Sequence, residues 1–186
     1  SNLFEVELSF PGSVEVEGLN DILNKARFLV KAANLPASNV APIEVPFRGR
    51  ILKVAGDRTF DTWTVRVIND EDFKLRTAFE RWANVLSKLD DATGVTNPTS
   101  YMTDAYVQQL GRGAVPFAST NSGGQSAVLR TYKFYDIFPT TISEIALDYA
   151  DTDAIEKFEV TFQVQYFTVG NALESNGANA GEVLIQ

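Results

Sequence analysis

Four segments of the chain alternate apolar and polar residues, a pattern typical of strands with one packed face and one polar face. The longest is Phe158–Tyr166, and the others are Phe4–Phe10, Trp63–Val67 and Ile145–Tyr149. Four weaker strand patterns are Phe28–Ala32, Ile43–Phe47, Ile51–Val54 and Leu129–Phe138. Pro42 and Pro46 favour an edge position for the second of these, because proline lacks an amide hydrogen. The pattern predicts a mainly antiparallel β protein.

One segment has a clear helical period. Its apolar residues are spaced by four and three, so they form one stripe of a helix from about Glu71 to Leu89: Leu75, Phe79, Trp82, Leu86 and Leu89. Asn69 or Asp70 is suited to cap its first turn. The segment Asp21–Ala26 is too short to distinguish a helix from a loop. We therefore predict an α+β fold, mainly β: an antiparallel β-sandwich or barrel flanked by one amphipathic helix (about 71–89).

The length of 186 residues corresponds to one domain at roughly 150 residues per domain. Gly111–Gln125 has few large apolar residues and predicts a long loop. Gly170–Gly181 is rich in Gly, Asn and Ala and is followed by the apolar Val183-Leu184-Ile185. We predict a single domain over residues 1–169 and a flexible C-terminal extension over residues 170–186.

The composition removes most catalytic chemistry, because the chain contains no His and no Cys. Ser-His-Asp triads, His-ligated metals and thiolate sites are excluded. Gly124-Gln125-Ser126 lacks the glycine that completes a nucleophile elbow, and Asp151-Thr152-Asp153 with Glu156 lacks most positions of a calcium loop. The sequence predicts a non-enzymatic protein without catalytic residues, metal or cofactor.

The charge is acidic overall and unevenly distributed. Sixteen basic against 24 acidic residues give a net charge of −8, which argues against a protein that grips DNA phosphates. Residues 48–66 carry five basic and two acidic residues, whereas residues 134–160 carry seven acidic residues and Lys157. Opposite poles favour head-to-tail association with copies of the same chain, and solvated loops are the alternative. No run of about 18 apolar residues occurs, so we expect a soluble protein with no membrane partner.

The segment Val54–Glu71, V-A-G-D-R-T-F-D-T-W-T-V-R-V-I-N-D-E, resembles the signature of the tail tube proteins of contractile-tailed bacteriophages. The resemblance continues in the same order through Asn2–Val6, Leu35-Pro36, Phe138–Tyr149 and Glu156–Phe162, so it touches most of the chain. Three regions depart from the family: Leu19–Arg27 looks inserted, Gly111–Gln125 is long, and Thr168–Gln186 extends past the usual end.

The resemblance implies a β-sandwich or barrel flanked by a helix, hexameric rings, and stacking of the rings into a hollow tube that conducts DNA during ejection. The implied partners are further copies of the chain, the tail sheath protein, the tube initiator and baseplate proteins, and the tail terminator protein. DNA would pass through the lumen without specific binding. The implied location is the virion, after assembly in the host cytoplasm. A type VI secretion or tailocin inner-tube protein and a monomeric ligand-binding β-barrel are the alternatives.

The resemblance also places a long loop that reaches the adjacent ring at Arg48–Asp61. Gly56 suits a tight turn with positive φ, and Asp57 and Arg58 can form ion pairs across the junction. The alternative is a turn that only closes a hairpin. The predicted ring-stacking residues are Arg48, Arg50, Lys53, Gly56, Asp57, Arg58 and Asp61.

Two further surfaces follow from the implied tube. An acidic or neutral wall lets DNA move without sticking, and the candidate lumen-facing residues are Glu159, Thr161, Gln163 and Gln165. The polar face of Glu144, Ala146 and Asp148 is the alternative lining. The apolar tail residues Val183, Leu184 and Ile185 are expected to add to a strand edge of a neighbouring subunit, with simple disorder as the alternative.

Overall fold

The computed structural model describes residues 3–14, 17–111, 128–145 and 155–171. The helices in this part of the chain are α1 (Leu19–Leu29) and α2 (Lys74–Leu86), with a 3-10 turn at Pro98–Ser100. The strands are β1 (Phe4–Leu8), β2 (Val30–Ala33), β3 (Ser38–Phe47), β4 (Arg50–Phe60), β5 (Trp63–Ile68), β6 (Thr103–Leu110), β7 (Val128–Ile142), β8 (Lys157–Gln163) and β9 (Tyr166–Asn171).

The strands form one large antiparallel sheet and one separate hairpin. The large sheet has the order β1-β6-β7-β8-β5-β2, with β9 also paired to β7. Its end strands β1 and β2 lie close together, so the sheet curls toward a barrel. Strands β3 and β4 pair only with each other among the described residues. The predicted mainly β, antiparallel fold is confirmed.

Strands β8 and β9 lie one after the other along β7. Gln163 is paired with Phe138, and Tyr166 with Tyr135, so the two strands follow a single path beside β7. The path is interrupted at residues 164–165, opposite Asp136, whose φ is 52°. The prediction of one strand through Tyr166 is therefore wrong at this point, and Gln165 lies in the connection between the two strands.

The core lies between the inner face of the sheet and α2. Phe162 is fully buried and its ring contacts Trp63, Phe79 and Trp82 at centroid distances of 5.3, 6.0 and 5.8 Å. Phe10 adds contacts to Phe79 and Trp82. The predicted stripe of α2 is confirmed at its first three positions, since Leu75, Phe79 and Trp82 are buried. Strands with half-buried patterns pack around a centre rich in aromatic residues.

The predicted limits of α2 are wrong at both ends. The helix begins at Lys74 after Phe73, whose φ is 52°, and ends at Leu86, so Leu89 is 98% exposed outside it. Asp70 does not cap α2: its side chain accepts a hydrogen bond from the Glu71 amide and pairs with Lys25 at 2.9 Å.

The chain has a second helix where the sequence left helix and loop open. Residues 19–29 form α1, which packs against β1 and α2 through buried Ile22 and Ala26. The predicted strand at Phe28–Ala32 is wrong in its first two residues, because α1 continues to Leu29 and β2 follows at once. The alternation patterns also missed β6. Among the described helices, none is long and apolar enough to cross a bilayer.

Candidate assembly interface

The β3–β4 hairpin turns through Arg48 and Gly49, whose φ angles are 47° and 80°. Phe47 is paired with Arg50, so these two residues form the whole turn. Positive φ at both central residues is typical of tight hairpin turns, because their twist matches that of the strands. The prediction of a tight turn with positive φ at Gly56 is therefore wrong.

Gly56 lies within β4, where the backbones of the hairpin approach closely. The pairing shifts between Val40 and Pro42, which leaves Gly56 beside Ala41. A Cβ atom at position 56 would lie 2.7 Å from the Ala41 carbonyl oxygen and 2.9 Å from Cγ1 of Ile43. Glycine is needed here for space.

The hairpin exposes a continuous apolar face. Residues directly opposite in an antiparallel pair share a face, as do residues two apart on one strand. The register places five apolar residues on the same face: Ile43, Val45, Phe47, Leu52 and Val54. Their side chains are 42–62% exposed. The other face carries Pro42, Pro46 and Ile51 with the Glu44–Lys53 ion pair at 3.7 Å. A surface of this kind indicates a binding partner.

The structure brings all seven predicted ring-stacking residues onto or next to this hairpin. Arg48 lies in the turn, Asp61 follows β4, and the other five lie on β4. Within the described residues, no ion pair involves Arg48, Arg50, Asp57, Arg58 or Asp61. The Asp61 carboxylate instead accepts a hydrogen bond of 3.1 Å from the Asn39 side chain. These exposed charges are available for a partner.

A recess of about 630 Å³ lies at the base of the hairpin. Its lining comes from the segment before β3, the end of β4 and the end of β8: Asn34, Leu35, Pro36, Ala37, Phe60, Asp61, Thr62 and Gln163. Pro36 is buried and Leu35 is 48% exposed. Asp61 is the one charged residue in this lining. The recess therefore combines apolar surface with a carboxylate.

The candidate lumen face on β8 is polar, as its alternation with buried Phe158, Val160 and Phe162 predicts. Thr161 lies 3.3 Å from the hydroxyl of Thr64, and Glu159 accepts a hydrogen bond of 2.7 Å from Nε of Arg66. The Glu159 carboxylate is thus neutralised by Arg66. Of the four candidates, Glu159, Thr161 and Gln163 share this face, whereas Gln165 does not continue it.

Basic residues gather beside Glu159. A side-chain hydrogen bond with Lys31 and the like charge of Lys31, followed by burial and the charge of Arg66, lower the pKa of Lys157 below its ordinary 10.5. Lys31, Arg66 and Lys157 together outnumber Glu159 on this patch. The patch is therefore locally basic, unlike the acidic or neutral wall that the sequence favoured.

Several predicted residues fall outside the described part of the chain. They are the tail residues Val183, Leu184 and Ile185, the loop 112–125, and Ala146 and Asp148 of the alternative polar face. The structure also adds residues that the predicted interface omitted, namely the apolar face of the hairpin. The apolar residues of Ile43–Phe47 and Ile51–Val54 were visible in the sequence, but their exposure follows only from the separate pairing of β3 with β4 among the described strands.

A family model described as "Phage tail tube protein" matches residues 1–170. The chain is 33% identical over 166 residues to the tail tube protein gp19 of Enterobacteria phage T4, covering 89% of this chain and 88% of that protein. Its fold resembles the tube terminating cap of the anti-feeding prophage, with a TM-score of 0.60, 17% identity and coverage of 92% and 90%. It also resembles a chain of the PVC sheath–tube complex, with a TM-score of 0.55, 15% identity and coverage of 91% and 89%.

Proposed function

This chain belongs to the phage tail tube protein family, and we propose that it forms homohexameric rings that stack through the β3–β4 hairpin. The protein is a structural subunit of the tail tube and a component of the virion. The stacked rings enclose a channel that conducts DNA during ejection. The role is structural and involves no catalysis, metal or cofactor.

The observation that carries the stacking role is the exposed hairpin. Five apolar side chains share one of its faces, and four of its charged residues have no ion-pair partner within the described chain. Covering apolar surface is favourable by about 25 cal/mol per Å², so a protein surface that covers this face stabilises the assembly. Pro42 and Pro46 lack amide hydrogens, which disfavours pairing of another strand along β3. Strand addition along β3 is therefore disfavoured, and the proposed contacts are made by the faces and the tip of the hairpin.

The outer face of β8, with Glu159, Thr161 and Gln163, is the proposed lumen wall. Thr161 and Gln163 contribute neutral polar side chains, and Arg66 neutralises Glu159. The nearby Lys31 and Lys157 attract phosphate weakly if this face meets DNA, so passage then depends on salt. Replacing Glu159 and Gln163 with Lys in assembled tubes should slow DNA ejection at low salt and less at high salt. If the Lys variant and the unaltered tube eject DNA at equal rates at low salt, this face does not line the lumen.

The proposed partners are the tail sheath protein around the tube, the initiator and baseplate proteins at one end, and the terminator protein at the other. Assembly takes place in the cytoplasm of the bacterial host. The extension over residues 170–186 contributes Val183, Leu184 and Ile185 to a strand edge of a neighbouring subunit. Gly170 and Asn171 end β9, so the deletion begins at residue 172. Deletion of residues 172–186 should weaken oligomers more than it weakens subunit folding, and unchanged tube stability would exclude the role.

The stacking role is tested by reversing one exposed charge on the hairpin. Arg58→Glu should leave the subunit folded and block tube growth, measured by circular dichroism and negative-stain electron microscopy with a tail initiator complex present. Lys88→Glu makes the same change in charge beyond α2, at an exposed residue, and serves as the matched control. Tubes of normal length from the Arg58 variant would show that Arg58 does not take part in ring stacking. Isolated monomers of the unaltered chain at high concentration would contradict ring formation and favour a monomeric β-barrel.

A further inference from the structure

The two ends of the hairpin have complementary chemistry. At the tip, Phe47 is 62% exposed and the Arg48 guanidinium lies 5.4 Å from the centre of its ring. Arg50 is paired with Phe47 on the opposite strand. The tip therefore presents one aromatic ring with the Arg48 cation against it and Arg50 at the paired position on the same face of the hairpin.

The recess at the hairpin base presents the opposite combination. Polar atoms make up most of its lining, Leu35 and Phe60 supply apolar surface, and Asp61 supplies a negative charge. An aromatic side chain buries roughly 150–250 Å² when it enters such a site, and a desolvated carboxylate binds a guanidinium strongly. The recess is thus matched to a phenylalanine flanked by arginines.

Within one subunit the tip cannot reach this recess. Nine residue steps separate Phe47 from Ser38, and at about 3.3 Å per residue in a strand the two ends of the hairpin lie roughly 30 Å apart. A second copy is therefore required to fill the recess. Because the two matching surfaces differ, the contact is head-to-tail and repeats from copy to copy.

The turn supports a function for Arg48. Asparagine and glycine are preferred at the first central position of such a turn, and positive φ is unfavourable for a residue with a long side chain. Arg48 occupies that position with φ of 47°. An unfavourable residue at an exposed tip favours a role of its guanidinium outside the turn.

We infer that the hairpin tip of one subunit inserts Phe47 into the recess at the hairpin base of a subunit in the adjacent ring, with Arg48 and Arg50 beside Asp61. The inference rests on the proposed stacking of rings and identifies the partner surface. The occupant of the recess is a second copy of this chain.

Cysteine cross-linking tests the contact directly, because the chain contains no cysteine. A disulfide forms only where two Cα atoms lie within about 7 Å, so Phe47→Cys with Leu35→Cys can be joined only between subunits. Oxidation of assembled tubes should give a ladder of covalent oligomers, and peptide mapping should find the 47–35 bond. The matched control pairs Phe47→Cys with Leu89→Cys, whose position is 98% exposed and lies outside the recess lining.

The outcomes separate this inference from the proposed function. A 47–35 ladder that is absent from the control supports the contact. Normal tubes without a 47–35 bond overturn the contact and leave ring stacking intact. Failure of the unaltered chain to form rings or tubes overturns both.

Charge exchange gives a second test that retains Phe47. Arg50→Asp and Asp61→Arg should each reduce the polymerised fraction about tenfold or more, because each places like charges together at the junction. The double variant should recover to within about threefold of the unaltered chain. Asp57→Arg makes the same charge change outside the recess lining and should not rescue Arg50→Asp. Absence of rescue by Asp61→Arg, or equal rescue by Asp57→Arg, would overturn the pairing.

Discussion

The large sheet and the β3–β4 hairpin differ in whether their apolar residues are buried within the subunit. In the sheet, strand patterns such as that of β8 place every second side chain in a core where Phe158, Val160 and Phe162 are buried. In the hairpin the same kind of alternation leaves the apolar face 42–62% exposed. The apolar face of the sheet is buried within the subunit, whereas the apolar face of the hairpin is left exposed. We therefore expect substitutions in the sheet to affect folding and substitutions in the hairpin to affect assembly.

The largest effect on folding is expected from Phe162→Ala. Removal of a fully buried aromatic side chain that contacts Trp63, Phe79 and Trp82 should lower the free energy of unfolding by about 3–5 kcal/mol. Urea denaturation of the unassembled subunit measures this change in the free energy of unfolding. Leu52→Ala on the hairpin is the matched comparison, and it should change the same quantity by less than about 0.5 kcal/mol because Leu52 is 57% exposed. Equal losses in both variants would show that the two regions are not separable.

The reverse pattern is expected for assembly. Val45→Ser combined with Leu52→Ser makes the apolar face of the hairpin polar, and the two residues are direct partners across the strands. The polymerised fraction should fall about tenfold or more, since an interface that buries apolar side chains loses at least about 1.4 kcal/mol. Sedimentation of tubes measures this fraction. Glu44→Gln with Lys53→Gln alters the opposite face and should have a smaller effect; equal effects would argue against a specific role of the apolar face.

Gly56→Ala should disturb the hairpin locally. The added methyl group meets the Ala41 backbone oxygen at 2.7 Å, so the strands must shift at a cost of roughly 1–3 kcal/mol. Amide hydrogen exchange should become faster in β3 and β4 and stay unchanged in β5 and β8. Unchanged protection of the hairpin would mean that its strands can separate at this point without cost.

Arg48→Asn should have a smaller effect, and it should change the stability of the turn and the formation of tubes in opposite directions. Asparagine followed by Gly49 is the preferred pair for this turn, so the hairpin should gain up to about 1 kcal/mol. Tube formation should nevertheless weaken, because the guanidinium is lost. Hydrogen exchange of the hairpin and tube sedimentation measure the two effects. Stronger tube formation by this variant would show that Arg48 serves only the turn.

The smallest effect concerns the pH dependence of folding. A side-chain hydrogen bond from Lys25 lowers the pKa of Asp70 below its ordinary value of 3.8. A lowered carboxyl pKa contributes stability above the unfolded value, and this contribution is lost as the pH falls through the folded pKa. Asp70→Asn should therefore be slightly less stable than the unaltered chain at pH 7, and the difference should shrink as the pH falls below the ordinary carboxyl pKa of 3.8. A constant difference in urea midpoint across this range would exclude the ion pair as its source.

The sequence predicts those parts of the fold in which local pattern and burial agree. The alternation of β1, β5 and β8 and the stripe Leu75, Phe79 and Trp82 each bury one face, so period alone identifies the elements. The ends of α2 were not predictable from the stripe, because Phe73 takes a left-handed conformation and Leu89 is exposed beyond the helix.

The candidate interface was predicted only in part, because the sequence shows which residues are charged or apolar but does not show which of them are exposed. The family resemblance identified Arg48–Asp61, whereas the exposure of the apolar face followed only from the pairing of β3 with β4. The role of Gly56 depends on the shifted pairing near Val40, which brings distant backbone atoms together. The ion pair of Glu159 with Arg66 likewise joins residues 93 positions apart, so an acid counted in the sequence gave no free negative charge.

A helical reconstruction of assembled tubes by electron cryo-microscopy tests most directly the claim that the hairpin joins successive rings. Each β3–β4 hairpin is expected to leave its own ring, with Phe47 against Leu35 and Asp61 of a subunit in the next ring. Hairpins that contact only subunits of their own ring would contradict it.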